Sequence, residues 1–164
     1  MPWLVLNMGT AIVASTVIGL FEASIEKIVA LAILMPIVAA LGGNAGTQTL
    51  AVAVRGLATK ELDFDNAKRI IGKEMLVGVT NGLILACLIG PIAWYWFDMP
   101  ALGFVIGAAV VFNLLLAGLA GSVVPLTLEK LGVDPAVASS IFLTTLTDSL
   151  GFFAFLGLAT VLLL

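Results

Sequence analysis

Five apolar stretches, each long enough to cross a lipid bilayer, make up most of this chain of 164 residues. A membrane-spanning helix needs about 20 apolar residues, so we expect an all-α integral membrane protein without a separate soluble domain. The first stretch starts without a basic residue and precedes further spans, which favours a true span over a cleaved signal peptide. Hydropathy places the five spans at residues 3–20, 25–54, 70–97, 101–128 and 135–164.

Composition restricts the chemistry that these spans can perform. Hydrophobic residues make up 62% of the chain and charged residues 10%, and there is no histidine and only one cysteine. Without imidazole or paired thiolates, sites for zinc, copper or iron are disfavoured, and oxygen ligands remain. The net charge of −3 offers no basic patch, so we expect a lipid bilayer as partner and no nucleic acid.

The distribution of charge predicts the orientation. Basic residues gather between the second and third spans, and Lys130 lies between the fourth and fifth. The positive-inside rule makes both connections cytoplasmic, which predicts a multi-pass plasma-membrane protein with its N-terminus in the cytoplasm and its C-terminus outside. Trp94–Trp96, just before Asp98, would mark the outer interface. Glu22 and Glu26 are candidates for a cation entrance at the outer end, or are ordinary solvated loop charges.

A lone carboxylate, Asp148, interrupts the apolar run 135–164. A charge at the centre of a membrane helix costs roughly 2.5–3.5 kcal/mol on insertion scales, so it normally faces a partner, a cation or water. Helical spacing places Ser140, Thr144 and Thr145 on the same polar stripe. This stripe could hold a hard cation through the carboxylate, backbone oxygens and water. The alternative is an interhelical hydrogen bond from protonated Asp148.

The second span contains a polar segment, Gly42–Gln48, at membrane depth. Asn44, Thr47 and Gln48 supply amide and hydroxyl oxygens, and the glycines allow the backbone to turn. Together with Pro36, the paired glycines at the start of the segment predict a helix that is kinked or unwound there. The segment is interpreted as selecting ions, or as an ordinary kink whose polar side chains satisfy freed backbone groups.

Other polar and small residues in the spans have simpler interpretations. Glu74, at the inner end of the third span, lines an exit or pairs with a nearby base. Asn81 and Asn113 are expected to form interhelical hydrogen bonds rather than to bind an ion. Small residues four apart predict close helix packing within the chain: Gly78 with Gly82, and Gly103 with Gly107.

One carboxylate in each chain is too few for a dehydrating calcium site. Mg²⁺ keeps much of its water and is commonly held by one or two carboxylates, so a symmetric dimer that offers two Asp148 side chains would suit it. Inward movement is favourable, because a divalent ion gains roughly 4.6 kcal/mol across about 100 mV. Mn²⁺, Co²⁺ and Ca²⁺ remain possible as alternative transported ions.

Residues Met35–Gln48, followed by Val54–Ala58, closely resemble the signature of the MgtE family of magnesium channels. The resemblance continues through Gly132–Ser139 and Thr144–Asp148, and covers essentially the whole chain as the transmembrane domain of that family. It implies that residues 1–164 form one MgtE-type pore domain and that the protein is not an enzyme. Members of the family usually carry cytoplasmic N and CBS domains before the first span, and here Met1 leads straight into that span, so the sequence is either a piece of a longer protein or a member without these domains. If the domains are absent, we expect conduction that internal Mg²⁺ does not shut off.

The resemblance also implies a homodimer whose second and fifth helices line a pore at the two-fold axis. Hydrated Mg²⁺ is then the transported ion, and Asp148 of each subunit binds it. Gly43, Thr47 and the carbonyl of Thr144 match the remaining ion-site positions of the family. Further pore-lining candidates are Asn44, Gln48, Thr145 and Ser140.

Two other functions compete with transport. A non-conducting membrane assembly subunit would use the same polar residues only to hold helices together. An intramembrane enzyme would need a nucleophile with a base or paired carboxylates, and Asp148 has no second acid in the membrane core of its own chain. A magnesium transporter is therefore the favoured function.

Overall fold

The computed structural model describes residues 2–164, and this range is helical, with no β-strand. The all-α class predicted from hydropathy is confirmed. The helices are α1 (Pro2–Gly19), α2 (Glu22–Lys27), α3 (Ala30–Ala58), α4 (Ala67–Phe97), α5 (Pro100–Lys130) and α6 (Pro135–Leu163).

Each of the five apolar stretches contains one long helix, although the second, predicted at residues 25–54, begins with the end of α2 and continues as α3. By length and composition, α3, α4, α5 and α6 can each cross a membrane. Helix α1 has 18 residues. At 1.5 Å per residue it is about 27 Å long, slightly less than the roughly 30 Å of a bilayer core, so the fifth crossing stays a prediction. The short helix α2, at Glu22–Lys27, was not predicted, and it covers most of the break after the first span together with the start of the predicted second span.

Helix α3 is continuous across Pro36 and the paired glycines that begin its polar segment. The predicted unwinding is therefore absent, and a bend at Pro36 stays a prediction. Proline removes one intrahelical hydrogen bond, whereas unwinding would expose several backbone groups in a surrounding that offers them no water. Gly42 and Gly46 are buried, so contacts with neighbouring helices also hold this part of α3 in place.

Helix α5 forms the centre of the bundle and contacts α3, α4 and α6. Its apolar side chains are buried along most of its length, and they form the main core with residues from α3 and α6. Helix α1 packs on α6. The principal fully buried core residues are Leu31, Leu34, Leu102, Ile106, Leu114, Phe155 and Leu156.

Glycines allow α4 and α5 to touch through their backbones. A Cβ atom at Gly78 would collide with the carbonyl oxygen of Leu114, and one at Gly118 would lie 2.6 Å from the carbonyl oxygen of Glu74. A Cβ atom at Gly82 would lie 2.9 Å from the Cα atom of Val111 on α5. The prediction that small residues mediate packing within the chain is confirmed for these α4 glycines.

Candidate cation site

Asn113 of α5 joins the two helices that carry the predicted site. A Cβ atom at Gly42 of α3 would lie 2.7 Å from the Cγ atom of Asn113, and one at Gly151 of α6 would lie 2.9 Å from it. The Asn113 amide also donates a hydrogen bond to the carbonyl oxygen of Val38. This confirms its interhelical role and places the polar segment of α3 level with the turn of α6 that holds Asp148.

Four predicted ion-site residues occupy two short stripes at this level: Gly43 with Thr47 on α3, and Thr144 with Asp148 on α6. The side chains of Thr47 and Thr144 are exposed and that of Asp148 is half-buried. A Cβ atom at Gly43 would have no neighbour within 4 Å, so the space beside it is open. The two stripes thus give the single chain polar surface at membrane depth.

The Asp148 carboxylate has no hydrogen bond or ion pair with any side chain in residues 2–164. The alternative interhelical hydrogen bond from Asp148 therefore has no partner within the described chain. The same residues also contain no cluster of three or more histidine, cysteine or acidic side chains that could hold a metal. On the face formed by these two stripes, one copy of the chain thus supplies a single carboxylate, Asp148, and a site there with two carboxylates requires a second copy.

Hydroxyl groups near Asp148 are engaged by their own helix. The Thr145 hydroxyl donates to the carbonyl oxygen of Ile141 at 2.7 Å. The Thr147 hydroxyl shares its hydrogen between the carbonyl oxygens of Leu143, at 3.1 Å, and Thr144, at 3.2 Å. The Thr144 carbonyl, a predicted ion ligand, therefore already accepts a hydrogen bond. An ion at this point would share that oxygen, which suits contact through a water molecule better than direct coordination.

Ser140 and Thr144 line a groove between α1 and α6, with a volume of about 500 Å³. The wall on the α1 side includes Trp3, Leu4 and Asn7. Asn7 was not among the predicted site residues, although it is an amide in an otherwise apolar span, as Asn81 and Asn113 are. The groove extends the open surface of α6 toward the first helix.

Asn44 and Gln48 lie on a different side of α3 from Thr47. Together with Asn81 of α4 they line a cavity of about 300 Å³ between α3 and α4. Each residue turns an α-helix by 100°, so Asn44 and Gln48 are rotated well away from the stripe of Gly43 and Thr47. Within the single chain the structure does not bring these two amides to Asp148, and their role in lining a pore stays a prediction.

Glu22 and Glu26 are exposed on α2, at the opposite end of α6 from its first turn. The intervening Ser24 is buried, and its hydroxyl lies 2.7 Å from that of Thr160. Thr160 is 12 residues beyond Asp148, about 18 Å along the helix. The two carboxylates are thus held at the end of the bundle, and a role in attracting cations there stays a prediction.

A family model described as MgtE, divalent cation transporter, matches residues 35–158. The magnesium transporter MgtE of Bacillus subtilis is 36% identical over 160 residues, covering 98% of this chain and 36% of the relative. The magnesium transporter MgtE of Thermus thermophilus is 38% identical over 162 residues, covering 98% of this chain and 36% of the relative. The magnesium transporter MgtE of Enterococcus faecalis is 39% identical over 148 residues, covering 90% of this chain and 33% of the relative.

The chain thus spans about a third of the length of these curated relatives. The matched residues include the polar segment of α3, the junction at Asn113 and the Asp148 turn of α6. Both the matched share of the chain and the level of identity support the resemblance seen in the sequence motifs. This chain is a member of the MgtE family of divalent cation transporters.

Proposed function

We propose that this chain forms the pore of a magnesium transporter. Two copies meet with the stripes of α3 and α6 facing a two-fold axis, and hydrated Mg²⁺ passes inward between the two Asp148 side chains. The observation that carries the proposal is the unpaired, half-buried Asp148 carboxylate at the same level as the exposed polar segment of α3. The three curated relatives are magnesium transporters, which supports the choice of ion.

The exposed stripes are unsuited to contact with lipid. Within hydrocarbon, polar groups are stable only where protein or water satisfies them, and a carboxylate there costs roughly 2.5–3.5 kcal/mol. A second copy on this face would exclude lipid and enclose water. Two-fold symmetry would then bring the same residues from both subunits to one place and double the number of carboxylates.

The ligands offered by this face favour a hard, hydrated cation. They are the Asp148 carboxylate, the hydroxyl groups of Thr47 and Thr144, and backbone oxygens, and Mg²⁺ accepts such oxygen ligands while it retains several waters. Thr47 donates its hydroxyl hydrogen to the carbonyl oxygen of Gly43 at 2.8 Å, which leaves its oxygen lone pairs free to accept from a water of the ion. Mn²⁺, Co²⁺ and Ca²⁺ are the alternatives to be compared in the same assay.

In this proposal residues 1–164 act as the pore domain of a multi-pass plasma-membrane protein. The basic end of α3, at Arg55, lies in the cytoplasm with the N-terminus, and the C-terminus lies outside. Glu22 and Glu26 then lie at the outer mouth, where they raise the local concentration of cations. The membrane potential favours inward movement of the ion.

Flux of Mg²⁺ into liposomes tests the proposal. Asp148→Asn should lower the flux at least about tenfold, which corresponds to the loss of about 1.4 kcal/mol of stabilisation. The matched control is Asp98→Asn, the same change in the αL residue that ends α4, where asparagine is well tolerated. The control should conduct like the wild type, and all three proteins should remain dimers in light scattering.

Other results would reject the proposal. Equal flux in wild type and Asp148→Asn would show that Asp148 has only a structural role. Loss of the dimer in Asp148→Asn alone would favour the non-conducting assembly subunit. Faster flux of Mn²⁺, Co²⁺ or Ca²⁺ than of Mg²⁺ through the wild type would reassign the transported ion.

A further inference from the structure

A polar crevice runs between α3 and α4, on the far side of α3 from Thr47. It consists of three adjoining cavities of about 180, 170 and 300 Å³, which extend from the connection between the two helices to Asn44. Neighbouring cavities share wall residues, including Thr49 for the first two and Gln48 for the last two. The crevice exists because α3 and α4 barely contact each other and both rest on α5.

The middle cavity contains one charged side chain among its wall residues, Glu74 of α4. Gln48, Thr49 and Asn81 add amide and hydroxyl oxygens to the same wall. The Thr49 hydroxyl donates to Oε2 of Glu74 at 3.4 Å, a long hydrogen bond that leaves most of the acceptor capacity of the carboxylate unused. The middle cavity is therefore acidic and rich in oxygen ligands.

Glu74 does not form the ion pair that was one interpretation of its sequence position. No ion pair to it forms within residues 2–164, although Glu74 also lines the first cavity, where Arg55 and Lys73 are wall residues as well. Neither of these basic residues lines the middle cavity. The negative charge of Glu74 is thus open to a mobile cation.

The backbone around Glu74 is fixed in position. A Cβ atom at Gly118 of α5 would lie 2.6 Å from the Glu74 carbonyl oxygen, and one at Gly78 would collide with the carbonyl of Leu114. One wall of the crevice is therefore two helices in direct backbone contact. Because this wall cannot easily collapse onto α3, the cavity is preformed, as ligand sites in proteins usually are.

We propose that Glu74, with Thr49, Gln48 and Asn81, binds a hydrated divalent cation within each protomer, separate from the pore face. The cavity of about 170 Å³ has room for roughly five waters at about 30 Å³ each, so the ion would keep most of its hydration shell. All four ligands are hard oxygen donors, which suits Mg²⁺ or its probe Mn²⁺. The ion would reach the site through the first cavity, from the end of the bundle at Arg55 and Glu61.

Binding of Mn²⁺, followed by electron paramagnetic resonance on the full chain in nanodiscs, tests this proposal independently of transport. Asp148→Asn is used as the background, to remove the proposed pore site. The Asp148→Asn protein should bind one Mn²⁺ per protomer, and added Mg²⁺ should displace that Mn²⁺. Adding Glu74→Gln should weaken binding at least about tenfold, since a charge-assisted contact is worth about 1.5–3 kcal/mol. Adding the matched control, Glu129→Gln in the exposed last turn of α5, should change nothing.

A second variant tests the site independently, in case Glu74→Gln misfolds. Asn81→Leu keeps the carboxylate and removes one amide ligand, and it should weaken Mn²⁺ binding while the protein remains a monodisperse dimer. No Mn²⁺ bound to the Asp148→Asn protein, or the same affinity after Glu74→Gln, would show that the crevice holds only water and would overturn the proposal. Neither result bears on the pore, whose test is flux.

Discussion

The side-chain amide of Asn113 on α5 donates a 2.9 Å hydrogen bond to the backbone carbonyl oxygen of Val38 on α3, at a fully buried position. The same side chain is wedged between Gly42 and Gly151, so it fixes α3 and α6 relative to each other at the depth of Asp148. Its Oδ1 atom has no partner within the described residues. One amide therefore determines how the two stripes of the candidate site are aligned.

Asn113→Ala is predicted to lower the free energy of unfolding by about 1–3 kcal/mol, from a lost interhelical hydrogen bond and the space left behind. Asn81→Ala is the matched control, because Asn81 is exposed and bonds no other helix in the described chain. It should change the free energy by less than about 0.5 kcal/mol. Denaturant titration in mixed micelles measures both, and equal effects would show that Asn113 does not hold the helices together.

Gly42→Ala and Gly43→Ala are adjacent substitutions with opposite expected effects. A methyl group at Gly42 meets the Asn113 side chain, which Gly151 prevents from moving aside, so we expect a loss of about 1–3 kcal/mol. A methyl group at Gly43 meets no atom within 4 Å. That protein should be as stable as the wild type or up to about 1 kcal/mol more stable. If both variants unfold at the same denaturant concentration, the packing around Asn113 is not as described.

Gly118→Ala should destabilise the contact between α4 and α5, because the new methyl group would lie 2.6 Å from a backbone oxygen that cannot rotate away. We expect a loss of about 1–3 kcal/mol. Gly72→Ala, at an open position on α4, should be neutral or stabilising. The fraction of intact protein after heating, measured by gel filtration, ranks the two variants, and a reversed ranking would contradict the backbone contact.

A cysteine at the proposed axis should link two copies. In a Cys87→Ser background, Thr144→Cys is expected to give a covalent dimer with a short bis-maleimide reagent in membranes. The unmodified chain is the control, since its free Cys87 is exposed on α4, away from the stripes. Dimer formation through Cys87 but not through residue 144 would place the subunit interface on α4 and contradict the proposed axis.

Hydropathy predicted the long helices because burial in lipid requires runs of apolar residues, which are visible in the sequence. The predicted second span, 25–54, became α3 at Ala30–Ala58, and the preceding residues formed α2 instead. Six residues that include two glutamates and a lysine give no hydropathy signal. Helix α2 is held by tertiary contacts, such as the hydrogen bond between Ser24 and Thr160, which the sequence does not show.

The candidate site was predicted in part for similar reasons. Asp148 stood out because a charge in an apolar helix is rare, and within residues 2–164 its carboxylate has no hydrogen bond or ion pair to a side chain; its role as an ion ligand stays a prediction. Asn44 and Gln48 were grouped with Thr47 because they are close in sequence, although the 100° rotation per residue separates them into different surfaces. Propensity also suggested unwinding at the paired glycines, whereas packing against Asn113 and Leu143 supports a continuous helix.

The backbone contact between α4 and α5 also bears on the order in which the protein is built. These two helices follow each other in the chain with only Asp98 and Met99 between them, and they pack along their length. Neighbours in sequence with such contacts can associate early, while the ribosome is still completing the chain. Asp148 lies on α6, which follows α5 in the chain, so the contact between α4 and α5 can form before the carboxylate of the proposed ion site has been synthesised.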